Sequence, residues 1–217
     1  MASARDRILG RVRSALGREG PLPPAAAQGL DAYVTQHPAG PRPAADWEPV
    51  ARFRERALAL ASTVDEIETL ASVPQAVARY LARMSLPRSA VVWPELAGLE
   101  WAGAGIDAHA RKATGSDAVG ITGCFCAIAE TGTLLQLSAA SRPASTSLLP
   151  ETHIAIVPTA RIVRGMEDAW ALVRTECGAL PRAVNFISGP SRTADIEQTL
   201  VLGAHGPYRV HILLLQG

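Results

Sequence analysis

Ala183-Val-Asn-Phe-Ile-Ser-Gly-Pro-Ser-Arg-Thr-Ala-Asp-Ile-Glu197 predicts a buried strand, a sharp turn and the start of a helix. The first half of this run is mostly apolar, Gly189 and Pro190 favour a turn, and Ser191 or Thr193 is a suitable helix cap. Open α/β sheets bind ligands at the carboxyl ends of strands, at junctions of this kind. The run therefore predicts an α/β fold and marks its turn as a candidate binding site.

A second polar turn, Ala129-Glu-Thr-Gly-Thr133, lies between the apolar runs Cys124–Ala129 and Thr133–Leu137. This spacing predicts a β-hairpin in which Gly132 adopts a positive φ. Two polar turns on one sheet indicate a site, so we expect them to converge at the same sheet edge and form a pocket.

Strands and helices alternate along most of the chain. The predicted strands are 63–67, 90–93, 153–157, 184–187 and 209–215, and the predicted helices are 51–61, 73–84, 167–176 and 193–202. This alternation predicts a mainly parallel sheet with helices on both faces. Long apolar strands such as Ile212–Leu215 are typical of burial on both sides.

Three segments are predicted along the chain. Residues 1–16 contain a helix, because Ile8, Leu9, Val12 and Leu16 form one apolar stripe among arginines. Residues 17–49 are rich in Pro, Ala and Gly without periodicity, which predicts a linker. Residues 50–217 form the α/β domain.

Composition excludes several classes of partner and cofactor. The formal net charge of +1 gives no electrostatic reason to expect nucleic acid or an anionic membrane surface. The chain has no run of about 20 apolar residues, so we expect no membrane span. The absence of a signal peptide and the odd number of cysteines (Cys124, Cys126 and Cys177) predict reduced thiols in a cytoplasmic protein. No metal site is predicted, since no HExxH motif or comparable ligand cluster occurs.

The turn after the predicted strand 184–187 supplies most of the candidate ligand-binding residues. A helix N-terminus attracts anions, but Asp195 and Glu197 already complement its dipole, which favours a mono-anionic group or a hydroxyl. An ordinary capped strand–helix junction is the alternative. The candidate residues here are Ser188, Gly189, Pro190, Ser191, Arg192 and Asp195.

Three further candidates lie elsewhere. Glu130, at the end of an apolar strand, is a candidate general base, nucleophile or ligand-orienting acceptor, with Thr131, Gly132 and Thr133 beside it. The alternative is a hydrogen-bonded brace of the turn. Arg142 lies in a serine-rich loop and is a candidate to bind a carboxylate through two hydrogen bonds. The alternative is an exposed arginine without a role. His205 is a weaker ligand-binding candidate.

Together these motifs resemble the LUD-domain family, of the lactate utilization protein C type. The resemblance rests on Ala113-Thr-Gly-Ser116, Gly120-Ile-Thr122, Ala129–Thr133, Arg142 with Ser147-Leu-Leu-Pro150, His153-Ile154, Ile187–Glu197 and Gly203-x-His205-Gly206-Pro207. It implies a fold similar to the ribose-5-phosphate isomerase and CoA-transferase class. It also implies a role in a cytoplasmic three-component system that oxidises L-lactate to pyruvate, with iron–sulfur clusters in partner subunits and no cofactor in this chain.

Two main hypotheses follow. In the first, the chain is a complex subunit without its own redox centre, in which Glu130, Arg142 and the Ser188–Ser191 turn bind a small carboxylate or face the redox subunits. In the second, it is a transferase- or ligase-like enzyme that uses Glu130 on a phosphorylated or CoA-linked metabolite. A third hypothesis is an interaction module that docks through its N-terminal helix.

Overall fold

The computed structural model describes residues 3–18, 20, 22–193 and 201–216. It divides into two compact units, Met1–Ala44 and Ala45–Gly217. In the first unit, helix α1 (Ala4–Ala15) is capped by Ser3, whose Oγ accepts a hydrogen bond of 3.1 Å from the backbone N–H of Asp6. Helix α2 (Pro24–Gln36) lies inside the segment predicted as a linker. The sequence prediction missed α2 because its prolines stand at the start of the helix, where proline is tolerated.

The second unit begins at Ala45, slightly before the predicted residue 50. The guanidinium of Arg164 explains this boundary, because it donates to the carbonyls of Ala45 and Trp47 at 2.7 and 3.0 Å. The helices of this unit are α3 (Pro49–Ala59), α4 (Val73–Arg83), α5 (Ser145–Leu148) and α6 (Met166–Cys177). Its strands are β1 (Thr63–Ile67), β2 (Ser89–Val92), β3 (Asp107–Ala110), β4 (Val119–Gly123), β5 (Cys126–Ile128), β6 (Thr133–Leu137), β7 (Thr152–Pro158), β8 (Ile162–Val163), β9 (Val184–Ile187), β10 (Arg192–Thr193), β11 (Val201–Leu202) and β12 (Arg209–Leu215).

The main sheet has six strands in the order β1-β12-β7-β4-β2-β3, and every neighbouring pair is parallel. The prediction of an α/β fold with a mainly parallel sheet is therefore confirmed. The central strands β7 and β12 are buried along almost their whole length, as their apolar sequences predict.

The two faces of this sheet bury different layers. Along β7, Ile154 and Ile156 point into a core formed with α4, whereas Ala155 and Val157 point into a core formed with α3 and a second, smaller sheet. The second sheet has the order β8-β5-β6-β9, and α6 packs against it. The β5–β6 hairpin is antiparallel, as predicted.

Two expectations for the C-terminal part are wrong. Strand β9 does not join the parallel sheet, because it pairs antiparallel with β6. Thr193 lies in β10 and Val201 in β11, which pair antiparallel, so the predicted helix 193–202 is wrong at both ends. Ser191 pairs instead with the chain before β12, donating from its N–H to the carbonyl of Pro207 at 2.9 Å. Asp195 lies outside the described residues.

Candidate functional site

The two polar turns meet, as the sequence predicts. Because β6 and β9 are antiparallel, the start of β6 lies beside the end of β9, with Leu134 opposite Ile187. The Oγ1 of Thr133 lies 2.7 Å from the Oγ of Ser188 and 2.7 Å from the Oγ1 of Thr131. A chain of three hydroxyl groups therefore joins the turns.

The end of α3 packs tightly onto both turns. A Cβ atom added to Gly132 (φ +69°) would lie 2.6 Å from the backbone nitrogen of Ala57. One added to Gly189 (φ +77°) would lie 2.5 Å from the carbonyl oxygen of Leu60, which also accepts a hydrogen bond of 2.6 Å from Arg192. Pro190 is buried in the same junction. These turn residues therefore form a packed junction with the backbone at the end of α3.

Glu130 lies at the amino end of α6. Its backbone N–H donates to the carbonyl of Arg164 at 3.0 Å, and its carboxylate lies beside Gly165. Asp168 accepts a hydrogen bond of 3.0 Å from the N–H of Gly165, which caps the helix. Carboxylates at this position complement the dipole of a helix, so Glu130 is well placed to stabilise α6.

His205 is exposed in the loop between β11 and β12. The adjacent Gly206 lies against Ser191, whose side chain would be 3.3 Å from an added Cβ. The structure thus brings the loop of His205 to the second turn.

Arg142 lies away from the Glu130 turn. Its loop follows the far end of β6, and the five residues of that strand span about 17 Å. The loop is held at the carboxyl end of β2, because the indole N–H of Trp93 donates to the carbonyl of Pro143 at 3.1 Å. Ala139 and Arg142 exchange two backbone hydrogen bonds of 3.1 Å, which fixes the turn that carries the guanidinium.

This end of the sheet has the topology of a ligand site. The chain leaves β2 towards β3 on one side and leaves β4 towards β7 on the other, so the order of strands reverses between β2 and β4. Ligands of open α/β sheets bind outside the carboxyl ends of strands at such a reversal. Glu95 follows β2 here and lies beside Gly123, the last residue of β4.

Glu95 and Arg142 form the charged pair of this crevice. The Nε of Arg142 lies 3.6 Å from Oε2 of Glu95, is buried, and has no hydrogen-bond partner among the described residues. Burial raises the pKa of Glu95, and the charge of Arg142 opposes that rise. The pair is therefore a loosely held ion pair, without a hydrogen bond at Nε.

A cavity of about 420 Å³ opens beside Arg142 and is called the Arg142 cavity below. Its lining includes Cys124, Phe125, Ser138, Arg161 and Cys177. The guanidinium of Arg161 is already occupied, because it donates to both carboxylate oxygens of Glu176 at 2.7 and 3.0 Å. Arg142, at 3.6 Å from its partner Glu95, is therefore the more loosely paired of the two lining arginines, in a space large enough for a small organic acid.

A buried polar triad supports β4 beneath the crevice. The side-chain amide of Gln136 donates to Oγ1 of Thr122 at 2.7 Å and to the carbonyl of Gly123 at 2.9 Å, and Thr122 lies 2.8 Å from Nε2 of His153. Burial lowers the pKa of His153 to about 3, so its ring is neutral. Thr122 thus accepts from Gln136 and shares a second hydrogen bond with Nε2 of His153.

Sequence reasoning identified Arg142 but missed Glu95, Gln136 and Thr122 as parts of this region. An acid placed directly after a β-strand and its proline is a signal that could have pointed to Glu95. Gln136 carried no such signal, because only the contact between the two sheets places its amide beside β4.

Residues 3–18, 20, 22–193 and 201–216 contain no group of three His, Cys, Asp or Glu side chains that could hold a metal ion. Within the same ranges, no helix combines the length and apolar character needed to cross a bilayer. Burial raises the pKa of the Cys126 thiol to about 11 and raises that of Cys124 further.

Comparison with known proteins gives the family. The model of the LUD domain matches residues 94–215, more than half of the chain. The chain belongs to the LUD-domain family. The match begins directly after β2 and contains Glu95, Gly123 and the Arg142 loop, so the crevice lies almost wholly within the LUD domain.

Relatives of the LUD chain carry one shared name. Lactate utilization protein C of Bacillus licheniformis is 36% identical over 120 residues, which are 54% of this chain and 50% of that protein. Lactate utilization protein C of Shouchella clausii is 46% identical over 93 residues, 42% of this chain and 41% of that protein. The chain spans about half the length of the curated relatives it matches.

A solved structure supports the fold. A DUF162 family protein from Deinococcus radiodurans superposes with a TM-score of 0.57 at 24% identity, covering 80% of this chain and 100% of that chain. This LUD chain therefore shares its architecture with that protein.

Proposed function

We propose that this LUD chain is a component of a cytoplasmic lactate utilization system that oxidises L-lactate to pyruvate. In this proposal the chain has no redox centre of its own, and partner subunits carry the iron–sulfur clusters. The names of its relatives support the system, since both proteins compared above are called lactate utilization protein C.

An iron–sulfur cluster does not fit the residues of this chain. Such clusters are generally held by four cysteine thiolates, and the chain has three cysteines. Burial also keeps Cys124 and Cys126 protonated by raising their pKa values. Electron transfer is therefore assigned to partners, and this chain is assigned a binding role.

Arg142 carries the proposal for the ligand. A guanidinium that lines a cavity at the sheet reversal and is only loosely paired with Glu95 suits the planar carboxylate of lactate or pyruvate. Glu95 lies 3.6 Å from Arg142, and its carboxylate is the proposed acceptor for a hydroxyl group next to the ligand carboxylate. The two side chains together match the carboxylate and the 2-hydroxyl group of a 2-hydroxy acid.

Calorimetric titration of the purified chain with L-lactate tests the binding role. We expect Arg142→Gln to weaken the affinity about tenfold or more, because a charge-assisted hydrogen bond is lost. Arg142→Lys should restore only part of it, since lysine lacks the planar fork of donors. The matched control is Arg79→Gln, which removes an exposed arginine on α4 and should change nothing.

Two results would reject this function. Equal lactate affinity in the Arg142→Gln and Arg79→Gln variants would remove the ligand site. Oxidation of lactate by the chain alone, with a dye as electron acceptor, would remove the division of labour between subunits. The partner claim is tested by affinity purification of the chain from its host grown on lactate, followed by mass spectrometry, where iron–sulfur proteins are expected.

A further inference from the structure

A second cavity also borders the Arg142 loop. It has a volume of about 520 Å³ and is called the Lys112 cavity below. Its lining is Lys112, Ser138, Ala139, Ala140, Pro143, Ala144, Ser145 and Arg182. These residues include two cations and two hydroxyl groups but no acid, so the charged part of the lining is wholly positive.

The two cations are free to bind a ligand. Neither Lys112 nor Arg182 forms a side-chain ion pair within the described residues. Asp117, which follows Lys112 along the chain, is already engaged, because both its oxygens accept hydrogen bonds of 2.7 Å from Arg111. The positive charge at the mouth of the Lys112 cavity is therefore not neutralised by that acid.

The two hydroxyl groups provide donors next to the cations. Ser138 Oγ accepts a hydrogen bond of 2.9 Å from the N–H of Ala183, which leaves its own proton to donate elsewhere. Ser145 Oγ is buried and has no hydrogen-bond partner among the described residues. The hydroxyl of Ser145 is therefore not engaged by another described residue at the edge of the Lys112 cavity.

We propose that the Lys112 cavity binds a phosphate group. A phosphate dianion carries two charges and several acceptor oxygens in a tetrahedral arrangement, which match two separate cations and two separate hydroxyl donors. A planar carboxylate could use only part of this set. The volume of about 520 Å³ also exceeds what a single phosphate fills, which favours a phosphate ester with an organic part over the free ion.

The fold makes this site from distant parts of the chain. Lys112 follows β3, Ser138 follows β6, and Arg182 precedes β9. Ser138 lines both cavities, so a phosphate ester would lie next to the Arg142 cavity without using Arg142 itself. The inference does not depend on the proposed function.

Phosphorus-31 NMR and calorimetric titration of the full chain test the site. Inorganic phosphate and phenyl phosphate are titrated at constant ionic strength, because surface charges alone respond to salt. We expect Lys112→Gln, Arg182→Gln and Ser145→Ala each to weaken binding, with about tenfold loss for each cation. Arg79→Gln is the charge-matched control and should leave phosphate affinity unchanged.

The results distinguish a phosphate ester from free phosphate, and they distinguish this site from the proposed lactate site. Tighter binding of phenyl phosphate than of inorganic phosphate supports an ester ligand, and equal binding supports the free ion. Loss of phosphate affinity in Arg182→Gln with normal lactate affinity supports a second, independent site. No binding at millimolar phosphate, equal loss in Arg79→Gln, or acetate binding as tightly as phosphate would overturn the inference. Lys112 and Arg182 are exposed, so their variants are expected to fold, and circular dichroism checks this.

Discussion

Gly132→Ala tests whether the polar turn between β5 and β6 is held against α3. Gly132 has a φ of +69°, and an added Cβ would lie 2.6 Å from the backbone nitrogen of Ala57 and 2.7 Å from the carbonyl carbon of Arg56. Both atoms belong to the backbone of α3, so neither can move aside as the end of a long side chain would. The substitution must therefore strain the turn and also displace the helix.

The expected loss of stability has two parts. An alanine in the left-handed region costs roughly 1–2 kcal/mol. Overpacking against a rigid backbone adds about 1–3 kcal/mol, so we expect the free energy of unfolding to fall by about 2–5 kcal/mol. The matched control is Gly105→Ala, where φ is +71° but the nearest atom is the end of the Arg88 side chain at 3.0 Å.

Urea unfolding followed by circular dichroism measures both variants. Gly105→Ala should lose only the backbone part, about 1–2 kcal/mol, because the flexible guanidinium swings away. The difference between the two variants then reports the contact with α3. Equal losses in Gly132→Ala and Gly105→Ala would refute the packing argument, and the turn would again be a candidate for open binding space.

Two further predictions concern titration and the role of the turn acid. Burial lowers the pKa of His153 to about 3 and that of His211 to about 4, so below pH 6.5 the unfolded chain binds more protons than the folded one. We therefore expect the free energy of unfolding to fall as the pH drops from 6.5 towards 4, by about 1.4 kcal/mol per pH unit for each ring. In His153→Gln this slope should be smaller by about 1.4 kcal/mol per pH unit, which corresponds to one proton. An unchanged slope in that variant, measured by urea unfolding at several pH values, would show that His153 is charged in the folded state. Glu130→Gln should leave lactate affinity unchanged, because Glu130 lies at the opposite end of β6 from Arg142. A calorimetric loss of lactate binding in Glu130→Gln would instead favour the hypothesis of an enzyme that uses this acid.

Much of the fold follows from local patterns. Apolar runs bounded by turn residues predict β1 and β12 at their observed bounds, and the Glu130–Gly132 spacing predicts the β5–β6 hairpin. These predictions succeed because strand propensity and turn chemistry depend on near neighbours. The short strands β10 and β11 have no comparable pattern, and a serine followed by polar residues resembled a helix cap.

The candidate site was predicted only in part. The convergence of Thr133 and Ser188 is confirmed, yet the end of α3 packs onto both of their turns. Arg142 was a candidate because of its residue type, but its partner Glu95 lies far away in the sequence. Nothing local links the two, since the pair exists only where the carboxyl end of β2 meets the loop after β6.

The residue pattern was sufficient to establish the parallel sheet, the hairpin and membership of the LUD family, because periodicity, turn residues and ordered motifs are written along the chain. Long-range burial alone placed β9 beside β6, set α3 against two glycines and joined Lys112 to Arg182 around one cavity. An apolar strand pairs with the neighbour that buries it best, and its own sequence does not specify which strand that is. The positions of the charged loops follow from that choice.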